Sequence, residues 1–222
     1  REMYRTYENA PSFEITLLII DDGSPQQLSA ETYIAREQRD DFPIRIAHIT
    51  KDKKWNIGGA RNLAFYLTET RRVLLNDLDI LIPYTTLEQV MTWNTTAHAD
   101  PSTAIAHRFS RKRMDGSISK HPAVSLLDAS AYWQSGGCDE DFVGNYGFTD
   151  VHFWYRWKKR HEMIDHGKNA LIHEFDMDAC DANILGTELS QQCIDARAQL
   201  PKAVKDGKAN HKKMKDKSGT GC

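Results

Sequence analysis

Short apolar runs that end in polar turns recur through the first half of the chain. Residues 14–20 and 44–49 have the length and β-branched content of buried strands, and residues 73–80 form a third such run. Helical spacing of apolar positions predicts helices over residues 28–39, 56–69 and 85–99. Strands that alternate with helices in this way form a mainly parallel sheet with helices on both faces. The pattern therefore predicts an α/β fold.

The second half of the chain is less regular. Strands are predicted over residues 103–109 and 123–127, on either side of a polar stretch in which Asp115 and Gly116 indicate a tight turn. A loop rich in Gly and Asp, an aromatic-rich helix and a short strand are then predicted over residues 135–147, 150–160 and 169–173.

The composition changes to Lys-rich and polar after residue 200. We therefore predict one domain over residues 1–200. Residues 201–222 are predicted to form a solvated helix or a disordered tail, with an anion-binding arm as the alternative.

Composition and charge exclude some classes of function. Of the 222 residues, 40% are hydrophobic and 27% are charged, which is typical of a soluble protein. A formal net charge of −2 argues against a protein that binds nucleic acid through bulk charge. No apolar run approaches the roughly 18 residues that span a bilayer, and no signal-peptide pattern begins the sequence. We therefore expect neither a nucleic-acid partner nor a membrane segment in this chain.

The four cysteines, Cys138, Cys180, Cys193 and Cys222, show neither C-x-x-C nor zinc-finger spacing. We interpret them as reduced thiols, some of them buried, and this favours a cytoplasmic location. The chain does not begin with Met, so this expectation leaves room for a targeting or anchoring segment upstream.

Two carboxylates follow the apolar run at residues 73–76. In an extended chain residues i and i+2 point to the same side, so Asp77 and Asp79 are expected to project together from the carboxyl end of a strand, where open α/β sheets bind ligands. Paired carboxylates are costly without a cation, and their oxygens suit Mg²⁺ or Mn²⁺, which can in turn hold a diphosphate. A solvated acidic turn is the alternative.

Three other segments carry candidate chemistry. Asp22 ends the first strand beside Gly23, where a carboxylate can accept hydrogen bonds from a base or a ribose; an acidic β-turn is the alternative. Arg61 lies in a helix that opens with two glycines and could approach phosphate, although such arginines are usually only solvated. Asp150 begins a helix behind a glycine-bearing loop, where it fits either a general base or a simple N-cap.

Taken in order, four motifs resemble glycosyltransferases of the GT-A fold, nearest to inverting family-2-type enzymes and the β-1,4-galactosyltransferase group. The resemblance covers about residues 14–173. The matching segments are D-D-G-S at residues 21–24, A-R-N at 60–62, D-L-D-I-L-I-P at 77–83, and a stretch from G-G-C-D-E-D-F at 136–142 to Y-G-F-T-D at 146–150. The resemblance implies a Rossmann-like nucleotide-binding sheet.

The resemblance also implies a role for each matching residue. Asp22 would bind the base or ribose, and Arg61 would lie near the nucleotide or its phosphates. Asp79 would ligate the metal, with Asp77 at the ribose or the metal's water shell. Asp150 would be the catalytic base. His173 matches a histidine that often completes the metal site, and an imidazole favours Mn²⁺ over Mg²⁺. From the residues alone a structural histidine is favoured over a ligand, and the resemblance makes the two about even.

The implied activity is metal-dependent transfer of a sugar from a nucleotide-sugar, with UDP favoured by the resemblance alone, to a glycan or other hydroxyl acceptor. Asp150 would deprotonate the acceptor as it attacks the anomeric carbon, so that a single displacement inverts the configuration. Two departures from the family pattern bear on this. The family's first strand has no counterpart, because residues 1–9 resemble the end of the helix that follows it. Thr149 stands where the family usually has Glu or Asp before the base, which affects acceptor choice.

Two rival functions come from other classes. A catalytically silent carbohydrate-binding or interaction module on the same fold is favoured slightly by both departures. A sugar nucleotidyltransferase would need a Gly-rich phosphate loop after the first strand, and none is present in the sequence.

Overall fold

The computed structural model describes residues 15–23, 43–51, 53, 55–97, 102–144, 147–174, 212–214 and 217. The strands are β1 Leu17–Asp21, β2 Ile44–His48, β3 Arg72–Leu75, β4 Ile80–Leu81, β5 Ile105–Lys112, β6 Ile118–Asp128, β7 Glu162–Asp165 and β8 Leu171–Glu174. The α-helices are α1 Ile57–Leu67, α2 Tyr84–Thr92, α3 Ala129–Gln134 and α4 Thr149–Trp157. Two short 3₁₀ helices lie at Glu140–Phe142 and Gly167–Asn169.

The described strands form two sheets. β1 and β2 pair in parallel, with Leu17 opposite Ile44. The other six strands form one sheet in the order β3-β6-β5-β8-β4, with β7 paired to β5. β5 is parallel to β7 and β8, whereas the β3–β6, β5–β6 and β4–β8 pairs are antiparallel.

The larger sheet is therefore mixed, and the prediction of a mainly parallel sheet was wrong in this respect. β5 and β6 are joined by the predicted tight turn, in which Gly116 has φ +81° and the amide of Arg113 donates to the carbonyl of Ser117 at 3.0 Å. A connection this short can join only antiparallel strands. The α/β class itself is confirmed.

Helices cover both faces of the larger sheet, as predicted. On one face, Leu87 and Val90 of α2 pack in a cluster with Phe109, Val124 and Ile172. On the other face, α1, α3 and α4 contribute Phe65, Tyr132, Phe153, Trp154 and Trp157 to a second cluster. The consecutive residues Leu126 and Leu127 of β6 belong to different clusters, because neighbouring strand residues point to opposite faces.

Several predicted elements agree with the structure, with shifted ends. The helix predicted over 85–99 is α2, and it ends at Thr92 because Trp93 is extended with ψ 137°. The strand predicted over 73–80 ends at Leu75 and resumes only as the two-residue β4. Neither α3 nor β7 was predicted. The helix predicted over 28–39 lies outside the described residues.

A gap separates the two sheets. The side chains of β1 are half-buried, except for the buried Asp21, and β1 residues line the same cavity as residues 72–75 of β3. Within the described residues, no strand pairs with β1 on the side away from β2, or with β3 on the side away from β6. That the family's first strand is missing from this chain stays a prediction, since residues 1–14 are not described.

Part of the predicted tail contacts the loop that precedes α4. Residues 212–214 and 217 are helical. Lys213 Nζ donates to the carbonyl of Asp141 at 2.7 Å, and Lys217 Nζ bridges the carboxylates of Asp139 and Asp141 at 2.6 and 2.7 Å. Among the described helices, none has the length and apolar character needed to cross a membrane.

Candidate active site

One cavity of about 1060 Å³ lies between the two sheets and collects most of the predicted site residues. Its lining includes Asp22, Arg61, Asp77, Asp79 and Asp150. These residues come from four separate parts of the sequence. His173 is not among the lining residues, whereas its neighbour Glu174 is.

A turn, not an extended strand, brings Asp77 and Asp79 together. β3 ends at Leu75, and the amide of Ile80 donates to the carbonyl of Asp77 at 3.1 Å. Asn76 Nδ2 donates to the carbonyl of Ile80 at 3.1 Å and closes the same turn. Both carboxylates reach the cavity as predicted. The predicted reason, alternation of side chains along an extended strand, was wrong.

The electrostatics of this turn suit a cation. Burial, followed by the nearby carboxylate of Asp77 and then that of Glu174, raises the pKa of Asp79 above its usual value. A divalent cation would relieve this repulsion, and carboxylate oxygens are donors that fit Mg²⁺ or Mn²⁺.

Within the described residues no group of three or more His, Cys, Asp or Glu side chains is arranged to hold a metal. Two carboxylates supply only part of a cation's coordination, so a cation at Asp77 and Asp79 would take its remaining ligands from substrate oxygens and water, the usual arrangement for Mg²⁺ on a diphosphate. His173 is exposed on β8, opposite Leu81 of β4, and its role as a ligand stays a prediction.

Arg61 joins the predicted donor and acceptor sides of the cavity. Its side chain is 6% exposed; Nη1 donates to Oδ1 of Asp150, and Nη2 donates to Oδ1 of Asp77 at 3.3 Å. Burial disfavours its charged form, but the carboxylates of Asp150 and Asp77 outweigh burial and raise the pKa of Arg61. The guanidinium is thus a permanent cation held between two carboxylates that each remain about one quarter exposed.

The first turn of α1 reaches toward β1 through Asn56. This buried residue donates from Nδ2 to Oδ1 of Asp22 at 3.0 Å. A Cβ on Gly59 would lie 2.3 Å from Asn56 Oδ1, so glycine at this position makes room for the Asn56 amide. Asn56 was missed in the sequence, where only the pair of glycines signalled a close approach.

Asn62 fastens α1 to the predicted acceptor loop. Its Oδ1 accepts from the Tyr132 hydroxyl at 2.6 Å and from the Cys138 amide at 2.8 Å, and its Nδ2 donates to Glu140 Oε1 at 2.9 Å. A Cβ on Gly137, at φ +58°, would lie 2.8 Å from Asn62 Oδ1. The A-R-N motif therefore sends Arg61 into the cavity and Asn62 to the loop behind it.

Strained backbone precedes both helices that carry site residues. Trp55 (φ 54°) lies two residues before α1, and Phe148 (φ 64°) lies directly before α4; they are the non-glycine residues with positive φ among those described. This conformation costs on the order of 1 kcal/mol or more for such residues, and it clusters at functional sites. Here it directs the starts of both helices, with Asn56 and Asp150, toward the cavity.

Arg111, His121 and Glu174 also line the cavity, and all three were missed in the sequence. Arg111 Nη1 donates to Glu174 Oε1 at 2.6 Å, and Arg113 Nε donates to Glu174 Oε2 at 2.9 Å. The side chain of His121 is 4% exposed, and burial, reinforced by the charge of Arg111, lowers its pKa to about 4. No local motif marked these residues, because β5, β6 and β8 bring them together only in the folded sheet.

Comparison with known proteins identifies the family of this chain. The pattern of the family described as Glycosyl transferase family 2 matches residues 2–175. The chain therefore belongs to glycosyl transferase family 2, as the four motifs predicted. The likeness to the β-1,4-galactosyltransferase group stays a prediction. Comparison with curated proteins gives no match.

Solved glycosyltransferase structures share the GT-A fold with this chain. TarS 1-349 of S. aureus in complex with UDP-GlcNAc is 12% identical with a TM-score of 0.58, covering 78% of this chain and 54% of that protein chain. The mannosyltransferase PcManGT from Pyrobaculum calidifontis, in complex with GDP-Man and Mn²⁺, is 15% identical with a TM-score of 0.54, over 78% and 52%. GalNAc-T7 with UDP, GalNAc and Mn²⁺ is 9% identical with a TM-score of 0.54, over 72% and 37%. This chain spans about half the length of the first two protein chains and 37% of the third. The likeness to all three confirms the predicted fold.

Proposed function

We propose that this chain catalyses metal-dependent transfer of a sugar from a UDP-sugar to a hydroxyl acceptor, with inversion at the anomeric carbon. The observation that carries the proposal is Arg61, a buried cation that bonds both Asp77 and Asp150 at the wall of one cavity. A residue of the metal motif and the candidate base are thereby fixed relative to each other, as a reaction between two bound substrates requires.

The donor would lie along the cavity from Asp22 to Asp79. Asp22 keeps one carboxylate oxygen beyond its bond from Asn56, which can accept from a uracil N–H or a ribose hydroxyl. Asp77 and Asp79 supply oxygen ligands at the diphosphate end, and Mn²⁺ or Mg²⁺ bound there would offset the charge of the leaving diphosphate. The nucleotide-sugars and Mn²⁺ in the structures of similar fold support this arrangement.

Asp150 is the base in this proposal. Its carboxylate lines the cavity and is 24% exposed, so an acceptor hydroxyl can reach it. The bond from Arg61 holds the carboxylate in place at the wall of the cavity. A single base on the acceptor side is consistent with direct displacement, which inverts the anomeric carbon.

The departure at Thr149 is compatible with activity. Thr149 is buried, and its Cγ2 lies 3.4 Å from the position that a Cβ on Gly58 would occupy. Its side chain therefore packs against the start of α1, and the base position at 150 is undisturbed. An effect of this substitution on acceptor choice stays a prediction.

Binding and turnover together test the proposal. UDP is titrated calorimetrically with Mn²⁺ and again with EDTA, and UDP release from UDP-sugars is then followed with Mn²⁺. Metal-dependent UDP binding, lost in Asp79→Ala and kept in the exposed-turn control Asp115→Ala, is the expected result.

The rival functions give different outcomes in the same experiment. Binding without turnover of any UDP-sugar would favour the silent module, to which Arg61 and Asp150 would contribute only a structural ion pair. Formation of UDP-sugar from UTP and a sugar 1-phosphate would indicate the nucleotidyltransferase. Absence of nucleotide binding under either condition would overturn the proposal.

A further inference from the structure

His121 presents one ring nitrogen to the protein backbone and the other to the cavity. The residue lies in β6 and its side chain is 4% exposed, yet it belongs to the cavity lining. Its Nδ1 accepts from the backbone amides of Ala123 at 3.1 Å and Val124 at 2.9 Å. Because Nδ1 accepts, the proton of the neutral ring resides on Nε2, which is therefore a donor.

Among the described residues, the Nε2 donor has no hydrogen-bond acceptor. Its nearest acidic atom is Asp77 Oδ2 at 3.9 Å, which is beyond hydrogen-bonding distance. Within the described part of the chain, the ring's hydrogen bonds are those at Nδ1. By contrast, the neighbouring Arg111 is engaged by Glu174 and Ser119, and Arg61 is engaged by Asp77 and Asp150.

The position of this donor limits which part of a bound substrate it can contact. His121 Nε2 lies 3.9 Å from Asp77 Oδ2, and the residue lines the same cavity as Asp79 and Asp150. It therefore lies close to the diphosphate end, in the same cavity as the candidate base. In the proposed reaction the transferred sugar must lie between that end and Asp150, because its anomeric carbon connects the diphosphate to the acceptor oxygen.

We infer that His121 Nε2 donates a hydrogen bond to a hydroxyl oxygen of the transferred sugar and thereby helps to select the donor. The inference rests on the proposed function and deepens it. The ring is held by two backbone amides, so the donor is fixed in place before the sugar binds. A buried donor that loses its partner is costly, and a sugar without an oxygen at this position is therefore disfavoured.

Two substitutions separate this role from a purely structural one. In His121→Asn, Oδ1 can replace Nδ1 as the acceptor for the amides of Ala123 and Val124, but the donor no longer reaches the cavity. In His121→Gln, the amide nitrogen can reach the position of Nε2, but the backbone amides lose their acceptor. A structural role predicts that Asn is tolerated and Gln is harmful, whereas donor selection predicts the reverse for sugar turnover.

The experiment compares wild type and both variants by calorimetry with UDP and Mn²⁺, by thermal unfolding, and by steady-state UDP release from UDP-glucose, UDP-galactose and UDP-GlcNAc. For the best donor, we expect His121→Asn to lower kcat/KM by about 10- to 100-fold. Its UDP affinity should stay within about twofold of wild type. The differences in kcat/KM among the three UDP-sugars should become smaller. His121→Gln should retain more of the turnover than Asn does.

An unchanged kcat/KM and sugar preference in a folded His121→Asn variant would overturn the inference while the proposed function stands. Equal loss of UDP binding and turnover in that variant would also overturn it, because the sugar would then not be the group contacted. If wild type itself neither binds UDP nor turns over any of the three sugars, the proposed function fails first.

Discussion

The two sheets line one cavity, but the site residues on the two sides are held in place differently. The β1–β2 pair presents Asp22 from half-buried strands, held by one bond from Asn56. The six-stranded sheet lies between two buried clusters, and its side of the cavity carries bonded polar groups such as Arg61 and the Arg111–Glu174 pair. The comparison teaches that, within the described residues, the chemical end of the site is fixed by packing and buried charge, whereas the nucleotide end is held by fewer contacts.

The largest effect is expected at the base. Asp150→Asn keeps the size of the side chain and an oxygen for Arg61, but it removes the proton acceptor, so turnover should fall by about 10²- to 10⁴-fold. UDP binding with Mn²⁺ should be unchanged, which is measured by calorimetry on the same protein. Full turnover in this variant would contradict the assignment of Asp150.

Replacing one arginine in each sheet's part of the molecule should lower the free energy of unfolding by different amounts. Arg61→Met leaves Asp77 and Asp150 without their shared cation, and removal of one partner from a buried pair costs about 3–5 kcal/mol. The matched control is Arg45→Met in β2, because Arg45 pairs with Glu69 at the surface and such a pair contributes about 0.2–1 kcal/mol. Urea unfolding measures both losses. Similar losses in the two variants would mean that the Arg61 pair is no more important than a surface pair.

The packing contrast should appear in single truncations. Leu127 is fully buried in β6, and Leu127→Ala should destabilise the protein by about 2–5 kcal/mol. Ile19 in β1 is half-buried, and Ile19→Ala should cost about 1 kcal/mol. Urea midpoints at constant m-value measure the difference, and an equal cost would show that β1 is as tightly packed as β6.

The smallest effect is a pH dependence carried by the six-stranded half. His107 and His166 are in contact at 2.9 Å, and burial lowers the pKa of each below its usual value. The unfolded chain therefore binds protons first as pH falls through about 6.5, so stability is full above that pH and is lost below it.

Each such histidine contributes a loss of at most about 1.4 kcal/mol per pH unit. Urea unfolding at pH 7 and pH 5.5 tests this, with the exposed His173→Gln as the control variant. If the loss of stability between pH 7 and pH 5.5 is the same in His166→Gln as in wild type, other groups cause the pH dependence.

Local patterns in the sequence predicted most elements and the family, because the strand lengths, the helix opened by glycines and the ordered motifs are each encoded by neighbouring residues. Asp22, Arg61, Asp77, Asp79 and Asp150 were all found by such motifs, and all line the cavity. Asn56, His121, Arg111 and Glu174 were not found. Their importance depends on which strands become neighbours, and a histidine within a strand or an arginine in a polar hairpin has no local signature.

Some predictions also went wrong for local reasons. The run after Val73 has the composition of one strand, but Asn76 closes a turn onto Ile80 that no alternation of apolar residues could reveal. The hairpin of β5 and β6 makes the larger sheet mixed. The direction of such a pair is set by the short connection and not by the composition of the strands.

The bond between Arg61 and Asp150 joins residues 89 positions apart in the sequence. During synthesis the guanidinium therefore precedes its main carboxylate partner by roughly 4–18 seconds at about 5–20 residues per second. For that interval Arg61 can pair with Asp77 alone, so its burial against the growing sheet is only partly compensated. We therefore expect the site to close late in synthesis, once the chain has reached α4.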